Sequence, residues 1–339
     1  MSAWRIVGEL GQIDGGNGAE PDFPADDLAT VTGWTAKSEG WCRRLECIPA
    51  SFIGEPAMST TLTVPAVAGA LGTMFAVDAE HRIAVIGSRP DVGSTIAAGV
   101  APEVELLGLD GESHRLFENS PGKTLLVAFS SWCGCRHDLP GWQALRDELA
   151  EEPLEVIGIA IDESAADVVP FTEHIDFPVL IDTDRAFADA YGLVNVPTII
   201  WVDEDRKVVR APSTEFSDDT FVEVHGVESG PHLEAVRHWV RDGTLPDDTD
   251  PVAEHLRPFT PEQRQARVEF RLALELDRAG HPEAAAQRVA IADALAPDDF
   301  TIWRAGMKLV GDDPFGAEFF ERYLDWQQRH GGPLSFTDS

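Results

Sequence analysis

The residues of this 339-residue sequence best suited to chemistry are four cysteines, which fall in two close pairs. Four residues separate Cys42 from Cys47, and a single glycine separates Cys133 from Cys135. Two close pairs without an isolated cysteine favour redox chemistry over incidental packing. In that chemistry a thiolate attacks a sulfur atom, and a second thiol nearby resolves the mixed disulfide that forms.

Cys133 and Cys135 lie in the segment SSWCGCRHDLP, residues 130–140, between a predicted strand and a predicted helix. The preceding apolar run, TLLVAFS over residues 124–130, is typical of a strand buried on both faces. Helical periodicity follows from about residue 135 to 150. A cysteine at such a helix N-terminus meets unpaired N–H groups and the positive end of the helix dipole, which stabilise a thiolate. We therefore expect Cys133, as the more accessible and more acidic thiol, to attack, and Cys135 to resolve.

Two side chains flank the cysteines. We expect Trp132 to shield the sulfur atoms, with a core aromatic at a strand end as the plainer alternative. His137 lies one turn into the predicted helix, where an exposed histidine is favoured over a residue that stabilises the thiolate.

The order of elements around this segment predicts an α/β domain. A hairpin over Val104–Phe117 turns at Asp110-Gly111, a dipeptide suited to the positive φ of tight turns. Strands and helices alternate after it, which is the pattern of an α/β sheet. The predicted strands are at 154–161, 178–181, 198–202 and 207–210, and the predicted helices are at about 164–174, 186–191 and 231–241.

These motifs resemble the thioredoxin superfamily and, within it, the TlpA-like thiol-disulfide oxidoreductases, over roughly residues 99–243. The resemblance implies a thioredoxin-like fold for residues 98–245, with dithiol/disulfide exchange on protein or small-molecule partners and no organic cofactor or metal. It also implies a cis Val196–Pro197 peptide bond, with both residues shaping the site. The matching segments are APEVEL (101–106), Leu109-Asp110-Gly111, the active-site run Trp132–Pro140, AIDES (160–164) and Val196-Pro197-Thr198.

The sequence departs from that family in two places. The family carries C-x-x-C, so one residue is missing between Cys133 and Cys135, and the disulfide would close a smaller ring. Strain makes a disulfide easier to reduce and more oxidising, which leaves isomerase-like and oxidant-sensing roles open. Thioredoxin has a buried aspartate five residues before the tryptophan, where this chain has Val127. Asp162 and Glu163, at a strand end, are candidate proton acceptors, or simply acids at a helix N-terminus.

Two other functions fit part of the sequence. A thiol peroxidase with antioxidant activity would carry the peroxiredoxin motif P-x-x-x-T-x-x-C. Here Ser130 holds the threonine position, but Leu126 holds the proline position. The non-enzymatic alternative is a redox-gated interaction protein, in which the disulfide only switches a helical surface.

Cys42 and Cys47 lie in the segment GWTAKSEGWCRRLECIP, residues 33–49. If Arg44-Leu45 forms a two-residue hairpin turn, these cysteines face each other across two strands. They would then form a structural disulfide, or relay electrons to the C-x-C pair. A zinc site built from all four cysteines is disfavoured, because these spacings are not usual for zinc.

The rest of the chain predicts two further domains, at residues 1–97 and 246–339. Short apolar runs broken by Gly and Pro, with a hairpin over Met74–Gly87, make the first β-rich. Prolines among acidic residues across Asp242–Pro261 indicate a linker. Residues 266–299 match the tetratricopeptide spacing, but a lone repeat cannot bury its own face. We expect this all-α, repeat-like tail to pack on the redox domain or on another subunit, as a homodimer contact or a partner surface. Its later aromatic residues are predicted to be core: Trp303, Phe315, Phe319, Phe320, Tyr323 and Trp326.

Composition excludes several classes of partner. The chain has 26 basic and 59 acidic side chains, a formal net charge of −33 at pH 7. Such a chain is not attracted to nucleic acid or to anionic membranes. The best apolar segment, residues 64–77, is shorter than the roughly 20 residues of a membrane helix. The first residues lack the basic start and apolar run of a secretory signal. We therefore predict a cytoplasmic protein, in which disulfides tend to be transient and catalytic.

Overall fold

The structure, a computed structural model, describes residues 2–43, 46–89, 96, 99–118, 120, 122–246 and 258–330. It divides into two compact units, Met1–Asp91 with Phe259–Pro297, and Val92–Pro258 with Asp298–Ser339. This division differs from the predicted boundaries, because the helical tail is shared between the two units. The predicted Arg44-Leu45 turn, the boundary at 97/98 and residues 247–257 of the predicted linker lie outside the described residues.

Strands and helices are labelled in chain order over the described residues. The strands are β1 Arg5–Val7, β2 Gln12–Asp14, β3 Asp22–Pro24, β4 Thr35–Lys37, β5 Gly40–Arg43, β6 Glu46–Pro49, β7 Thr61–Thr63, β8 Phe75–Asp78, β9 Ile83–Ile86, β10 Glu105–Gly108, β11 Ser113–Arg115, β12 Lys123–Phe129, β13 Leu154–Ala160, β14 Val179–Ile181 and β15 Thr198–Val202. The helices are α1 Leu28–Thr32, α2 Ala50–Ile53, α3 Val64–Leu71, α4 Leu139–Glu148, α5 Ala165–Val168, α6 Ala186–Ala190, α7 Val222–His225, α8 Ser229–Asp242, α9 Pro261–Arg278, α10 Pro282–Leu295, α11 Phe300–Val310 and α12 Ala317–His330.

The first unit is built on a four-stranded sheet in the order β2-β1-β9-β8. β8 and β9 form the hairpin predicted within Met74–Gly87, which is confirmed. The unit also contains two smaller sheets, β3-β7 and β4-β5-β6, and the helices α1, α2 and α3. The segment predicted to be β-rich therefore also contains helices. Large apolar side chains fill the core, among them Trp4, Phe23, Trp34, Trp41 and Val64.

Helices α9 and α10 pack against each other within this first unit, and α9 lies on β8 and β9. A capping box between Thr260 and Gln263 begins α9. Arg271 Nη2 donates to the Gly8 carbonyl oxygen at 2.7 Å, which ties α9 to the N-terminal segment. α9 thus buries its apolar face on the N-terminal sheet, a partner that was not predicted from the sequence.

The second unit is built on a six-stranded sheet in the order β11-β10-β14-β13-β12-β15. β12, β13 and β14 run parallel, β15 pairs antiparallel with β12, and β10 pairs antiparallel with β14. The predicted buried strand is β12, in which Leu125 to Phe129 are at most 1 % exposed. Parallel strands connected through helices, with an antiparallel strand after a proline, form the thioredoxin-like α/β fold that was predicted.

Three local predictions in this unit have different outcomes. The β10-β11 hairpin is confirmed, with Gly111 at φ 82° in its turn. The strand predicted at 207–210 is reduced to two isolated bridges, Val100 with Lys207 and Val202 with Val208. Pro212 follows closely, and a proline cannot donate to a ladder. The helix predicted at 164–174 is α5 continued by a 3₁₀ turn that contains Pro170, whose ring disfavours a longer α-helix.

Helices α11 and α12 belong to the second unit. Asp299 caps α11, since its Oδ1 accepts hydrogen bonds from the backbone N–H groups of Thr301 at 3.1 Å and Ile302 at 3.2 Å. Within the described ranges, no helix has both the length and the hydrophobicity that crossing a bilayer requires. The aromatic stripe is core, as predicted, with Phe300, Trp303, Met307, Phe319, Tyr323 and Trp326 in one cluster and Phe315 and Phe320 packed against it.

Candidate redox-active site

The two cysteines of the C-x-C segment lie after the buried strand β12 and before α4, as the sequence predicts. Cys133 caps a 3₁₀ helix over Gly134–Asp138 that leads directly into α4. The backbone N–H of Cys135 donates to Cys133 Sγ at 3.4 Å. Both cysteines are free, and they are 5 % and 3 % exposed. The predicted difference in accessibility is therefore small, and electrostatics distinguishes the two sulfur atoms instead.

The loop before β15 closes one side of the Cys133 sulfur. The Val196–Pro197 peptide bond is cis, which confirms the prediction from the resemblance. Cys133 Sγ lies 3.4 Å from the Val196 carbonyl oxygen, so that the protonated thiol donates to it. The Thr198 hydroxyl donates to the Asn195 carbonyl oxygen at 2.8 Å and holds this loop. Two predicted site positions, Val196 and Cys133, thus meet across the site.

An arginine from the C-terminal helices reaches the same sulfur atom. Arg304, on α11, is 2 % exposed, and its Nη1 lies 3.4 Å from Cys133 Sγ. Its guanidinium lies over the rings of Trp132 at 4.9 Å and Phe319 at 4.1 Å. Arg304 was not predicted from the sequence, because no spacing rule relates positions 304 and 133. The one available signal was an arginine inside an otherwise apolar helical stripe.

These contacts shift the pKa values of the two thiols in opposite directions. Burial by itself raises the pKa of Cys133, but hydrogen bonds from Cys135 and the Arg304 guanidinium outweigh burial and lower the pKa to about 6. Burial raises the pKa of Cys135, and the neighbouring Cys133 raises it further. Near neutral pH, Cys133 is therefore the thiolate and Cys135 the thiol, which is the predicted order of acidity.

The two predicted proton acceptors, Asp162 and Glu163, form hydrogen bonds and ion pairs with residues near the cysteine loop. Asp162 is fully buried, and its carboxylate accepts hydrogen bonds from Ser130 Oγ and Ser131 N, each at 2.9 Å. Burial raises the pKa of Asp162 despite these hydrogen bonds. Glu163 forms an ion pair with Arg185 at 2.7 Å. The structure thus gives both carboxylates anchoring contacts, and proton transfer by either stays a prediction.

A further buried carboxylate, Asp138, lies at the end of the 3₁₀ helix. It is 4 % exposed, and its Oδ1 accepts hydrogen bonds from the backbone N–H groups of Ser217 at 3.0 Å and Asp218 at 3.3 Å. Burial, and then the charges of Asp218 and Cys133, raise the pKa of Asp138 to about 7. Asp138 belongs to the motif run Trp132–Pro140, but its burial could not be predicted from the sequence, because it depends on a loop about 80 residues away.

Aromatic side chains enclose the cysteine turn. Trp132 is 6 % exposed and carries the Arg304 guanidinium on its face. A Cβ atom at Gly134 would lie 3.0 Å from Phe315 and 3.2 Å from Phe221, so a side chain there would displace one of these rings. His137, by contrast, is exposed, which is the outcome that the sequence favoured.

The second cysteine pair forms a disulfide in the first unit. Cys42 on β5 and Cys47 on β6 are register partners, and their sulfur atoms are bonded. Cys42 is buried, whereas Cys47 is exposed. The predicted face-to-face pairing of these cysteines is confirmed, and the choice between a structural disulfide and an electron relay stays open.

Comparisons with known proteins find similarity over one part of the chain. Residues 98–211 match the model of the AhpC/TSA family. This segment is similar to that family, and its six-stranded sheet has the thioredoxin-like order described above. The segments before and after it lie outside the match.

The individual relatives cover the same part of the chain. A thiol-disulfide oxidoreductase ResA of Geobacillus thermodenitrificans is 29 % identical over 120 residues, which are 34 % of this chain and 66 % of that protein. The ResA of Bacillus thuringiensis subsp. konkukian is 30 % identical over 114 residues, with 32 % and 65 % covered. A solved structure described as a putative thiol:disulfide interchange protein DsbE from Chlorobium tepidum is 24 % identical, with a TM-score of 0.33 and coverage of 37 % and 90 %. The chain spans slightly less than two thirds of the first of these curated relatives.

Proposed function

We propose that the protein is a thiol-disulfide oxidoreductase in which Cys133 attacks and Cys135 resolves. The observation that carries the proposal is the asymmetry of the pair, in which the N-capping Cys133 has a lowered pKa and the adjacent Cys135 a raised one. A nucleophile has to be a thiolate, and a resolving thiol has to lie beside it. The names of the curated relatives support the same class of reaction. The substrates are thiols and disulfides of proteins or small molecules.

The exchange begins when the Cys133 thiolate attacks one sulfur atom of a substrate disulfide. The substrate S–S bond breaks, a mixed disulfide with Cys133 forms, and the other substrate sulfur leaves as a thiolate. Cys135 then attacks the Cys133 sulfur and releases the second substrate sulfur, which takes up the Cys135 proton. The substrate disulfide has gained two electrons and the protein dithiol has lost them. The same steps in reverse oxidise a substrate dithiol.

Serine substitutions test this assignment. Cys133→Ser removes the nucleophile and should abolish insulin reduction in the presence of a thiol reductant. Cys135→Ser keeps the nucleophile and should accumulate a mixed disulfide with the substrate, which mass spectrometry under non-reducing conditions detects. The matched control is the Cys42→Ser/Cys47→Ser double variant, which should keep the exchange rate. Full activity of Cys133→Ser would refute the proposal.

A thiol peroxidase is the second candidate, and one observation favours it: the Arg304 cation at Cys133 also suits attack on a peroxide. The thiolate would become a sulfenic acid with release of hydroxide, and Cys135 would condense with it to form a disulfide and water. Ser130, at the threonine position of the peroxiredoxin motif, instead donates its hydroxyl hydrogen to Asp162. Peroxide consumption faster than dithiol exchange in the same preparation would favour the peroxidase. Reversible oxidation without turnover in either assay would favour the redox-gated interaction protein.

A further inference from the structure

Arg304 is a buried cation that needs a negatively charged partner. Its Nε donates to the Pro314 carbonyl oxygen at 3.0 Å, and its Nη1 lies 3.4 Å from Cys133 Sγ. Among the described residues, its buried Nη2 has no hydrogen-bond partner. The rings of Trp132 and Phe319 face its guanidinium. A buried cation is costly unless it is paired. Of these neighbours, only the Cys133 sulfur can carry a negative charge.

The other polar groups around this sulfur do not supply a positive charge to it. Arg136 directs its Nη1 to the carbonyl oxygens of Ser131 and Cys133, at 2.8 Å and 3.2 Å. Cys135 donates hydrogen bonds to the sulfur and is neutral as a thiol. Asp138 opposes a thiolate through its own negative charge. Within the part of the chain that the structure describes, Arg304 is therefore the cation in direct contact with Cys133 Sγ.

We propose that Arg304 is a catalytic residue of the Cys133–Cys135 pair: it stabilises the Cys133 thiolate, and hence the dithiol form, which makes the disulfide form the stronger oxidant. The reason is electrostatic, because a disulfide carries no charge and leaves the buried guanidinium without its anion. A redox pair whose reduced form is stabilised is more oxidising. This inference rests on the proposed function and adds the direction of electron flow, from a substrate dithiol to the protein disulfide.

The oxidation of a substrate dithiol then proceeds in two balanced exchanges. A substrate thiolate attacks the Cys133 sulfur, the Cys133–Cys135 bond breaks, and Cys135 takes up a proton. The second substrate thiol attacks the substrate sulfur of the mixed disulfide, and Cys133 leaves as the thiolate beside Arg304. Two electrons pass from the substrate to the protein. The proton of the second substrate thiol balances the one that Cys135 takes up, so the proton released to solvent is the one lost when the first substrate thiol ionises. A leaving thiol of low pKa departs faster, so Arg304 also accelerates this second exchange.

Substitutions at Arg304 in the full-length protein test the proposal. Arg304→Met keeps a long apolar side chain between the two rings but removes the charge, whereas Arg304→Lys keeps the charge without the planar guanidinium. The matched control is Arg322→Met, which removes another guanidinium that lies over an aromatic ring, 4.2 Å from Trp303. Two quantities are measured, the pH midpoint of Cys133 alkylation and the equilibrium constant of the Cys133–Cys135 pair with a glutathione redox buffer.

For Arg304→Met we expect about a tenfold lower thiolate population at a given pH below the midpoint, which is one pKa unit. We also expect the disulfide to be about tenfold less oxidising against glutathione, which is about 30 mV. Arg304→Lys should lie between wild type and Arg304→Met, and Arg322→Met should match wild type. If Arg304→Met does not fold, Arg304→Gln removes the charge with a polar side chain instead: a raised midpoint supports the proposal, and an unshifted midpoint overturns it.

Two other results would overturn the proposal. One is an unchanged midpoint and equilibrium constant in a folded Arg304→Met protein. The other is an equal shift in Arg322→Met, because the effect would then come from aromatic packing. Failure of the proposed function is a separate result: wild-type protein would exchange no disulfide with any dithiol, while the alkylation midpoint still responded to Arg304.

Discussion

The pH dependence of Cys133 alkylation follows directly from the charges around its sulfur. With a pKa of about 6, Cys133 should be about nine tenths thiolate at neutral pH. An ordinary cysteine, with a pKa of about 8.5, is about 3 % thiolate there. Because the thiolate is the nucleophile, the alkylation rate should be nearly constant above neutral pH and should fall about tenfold for each pH unit well below 6. Restricted access of the reagent to the buried sulfur lowers the rate by the same factor at every pH, so it does not move this profile along the pH axis.

The same lowered pKa makes the stability of the reduced protein depend on pH. The folded protein releases the Cys133 proton near pH 6, whereas the unfolded chain holds it until about pH 8.5. The Cys133 contribution is therefore complete above about pH 8.5 and is lost as the pH falls through 6. Within that window it changes the free energy of unfolding by about 1.4 kcal/mol per pH unit, or about 3 kcal/mol in all.

Iodoacetamide labelling of the reduced protein across this pH range, with peptide mapping, is the assay. Cys133 should be labelled first. The Cys133→Ser variant should report the slow reaction of Cys135 alone, because burial, which remains in that variant, raises the pKa of Cys135. A Cys133 midpoint near that of an ordinary cysteine would refute the electrostatic reasoning. Preferential labelling of Cys135 would refute the assignment of the nucleophile.

Replacing both Cys42 and Cys47 by serine should lower the free energy of unfolding by about 2 kcal/mol, because their bond closes a loop with a sequence separation of 5. Urea denaturation followed by tryptophan fluorescence measures this loss, and an unchanged midpoint would contradict it. If the two cysteine pairs exchange electrons, Cys135→Ser should trap a disulfide between Cys133 and Cys42 or Cys47. Peptide maps without this species would indicate that the Cys42–Cys47 disulfide is purely structural. The raised pKa of Asp138, about 7 in the folded protein, should make wild type less stable as the pH rises from about 4 to about 7. Asp138→Asn should lack this part of the pH dependence. The unfolding temperature of both proteins is measured across that pH range. If the two plots of unfolding temperature against pH run parallel, Asp138 does not have this effect on stability.

Several features of the site could be predicted because they depend on near neighbours in the chain. The apolar run of β12 and the helical periodicity after it place Cys133 at a helix N-terminus whatever the rest of the protein does. The spacing of Cys42 and Cys47 is short enough for a hairpin to bring them together. The cis Val196–Pro197 bond was predicted from the resemblance of a short motif.

Predictions were less complete where a segment depends on what packs against it. The apolar pattern of α9 shows that one helix face must be buried, but hydrophobic burial is not directional and does not specify which surface covers it. Residues 207–210 have the residue types of a strand, but a strand forms only where a neighbouring strand continues to pair with it, and here such pairing is limited to isolated bridges. The burial of Asp138 likewise comes from a loop remote in sequence.

The sequence by itself predicted thiol-disulfide chemistry and an α/β order of strands and helices, because these follow from residue types and periodicity over short stretches. The resemblance to a known family added the thioredoxin-like fold, and the position at a helix N-terminus favoured Cys133 as the nucleophile. Only the tertiary structure decided which charges act on that cysteine. Arg304 is 171 positions from Cys133 in the chain, and nothing local links the two. Its effect on the thiolate depends on distance and on exclusion of water, and both are set by the packing of α11 and α12 within the second unit.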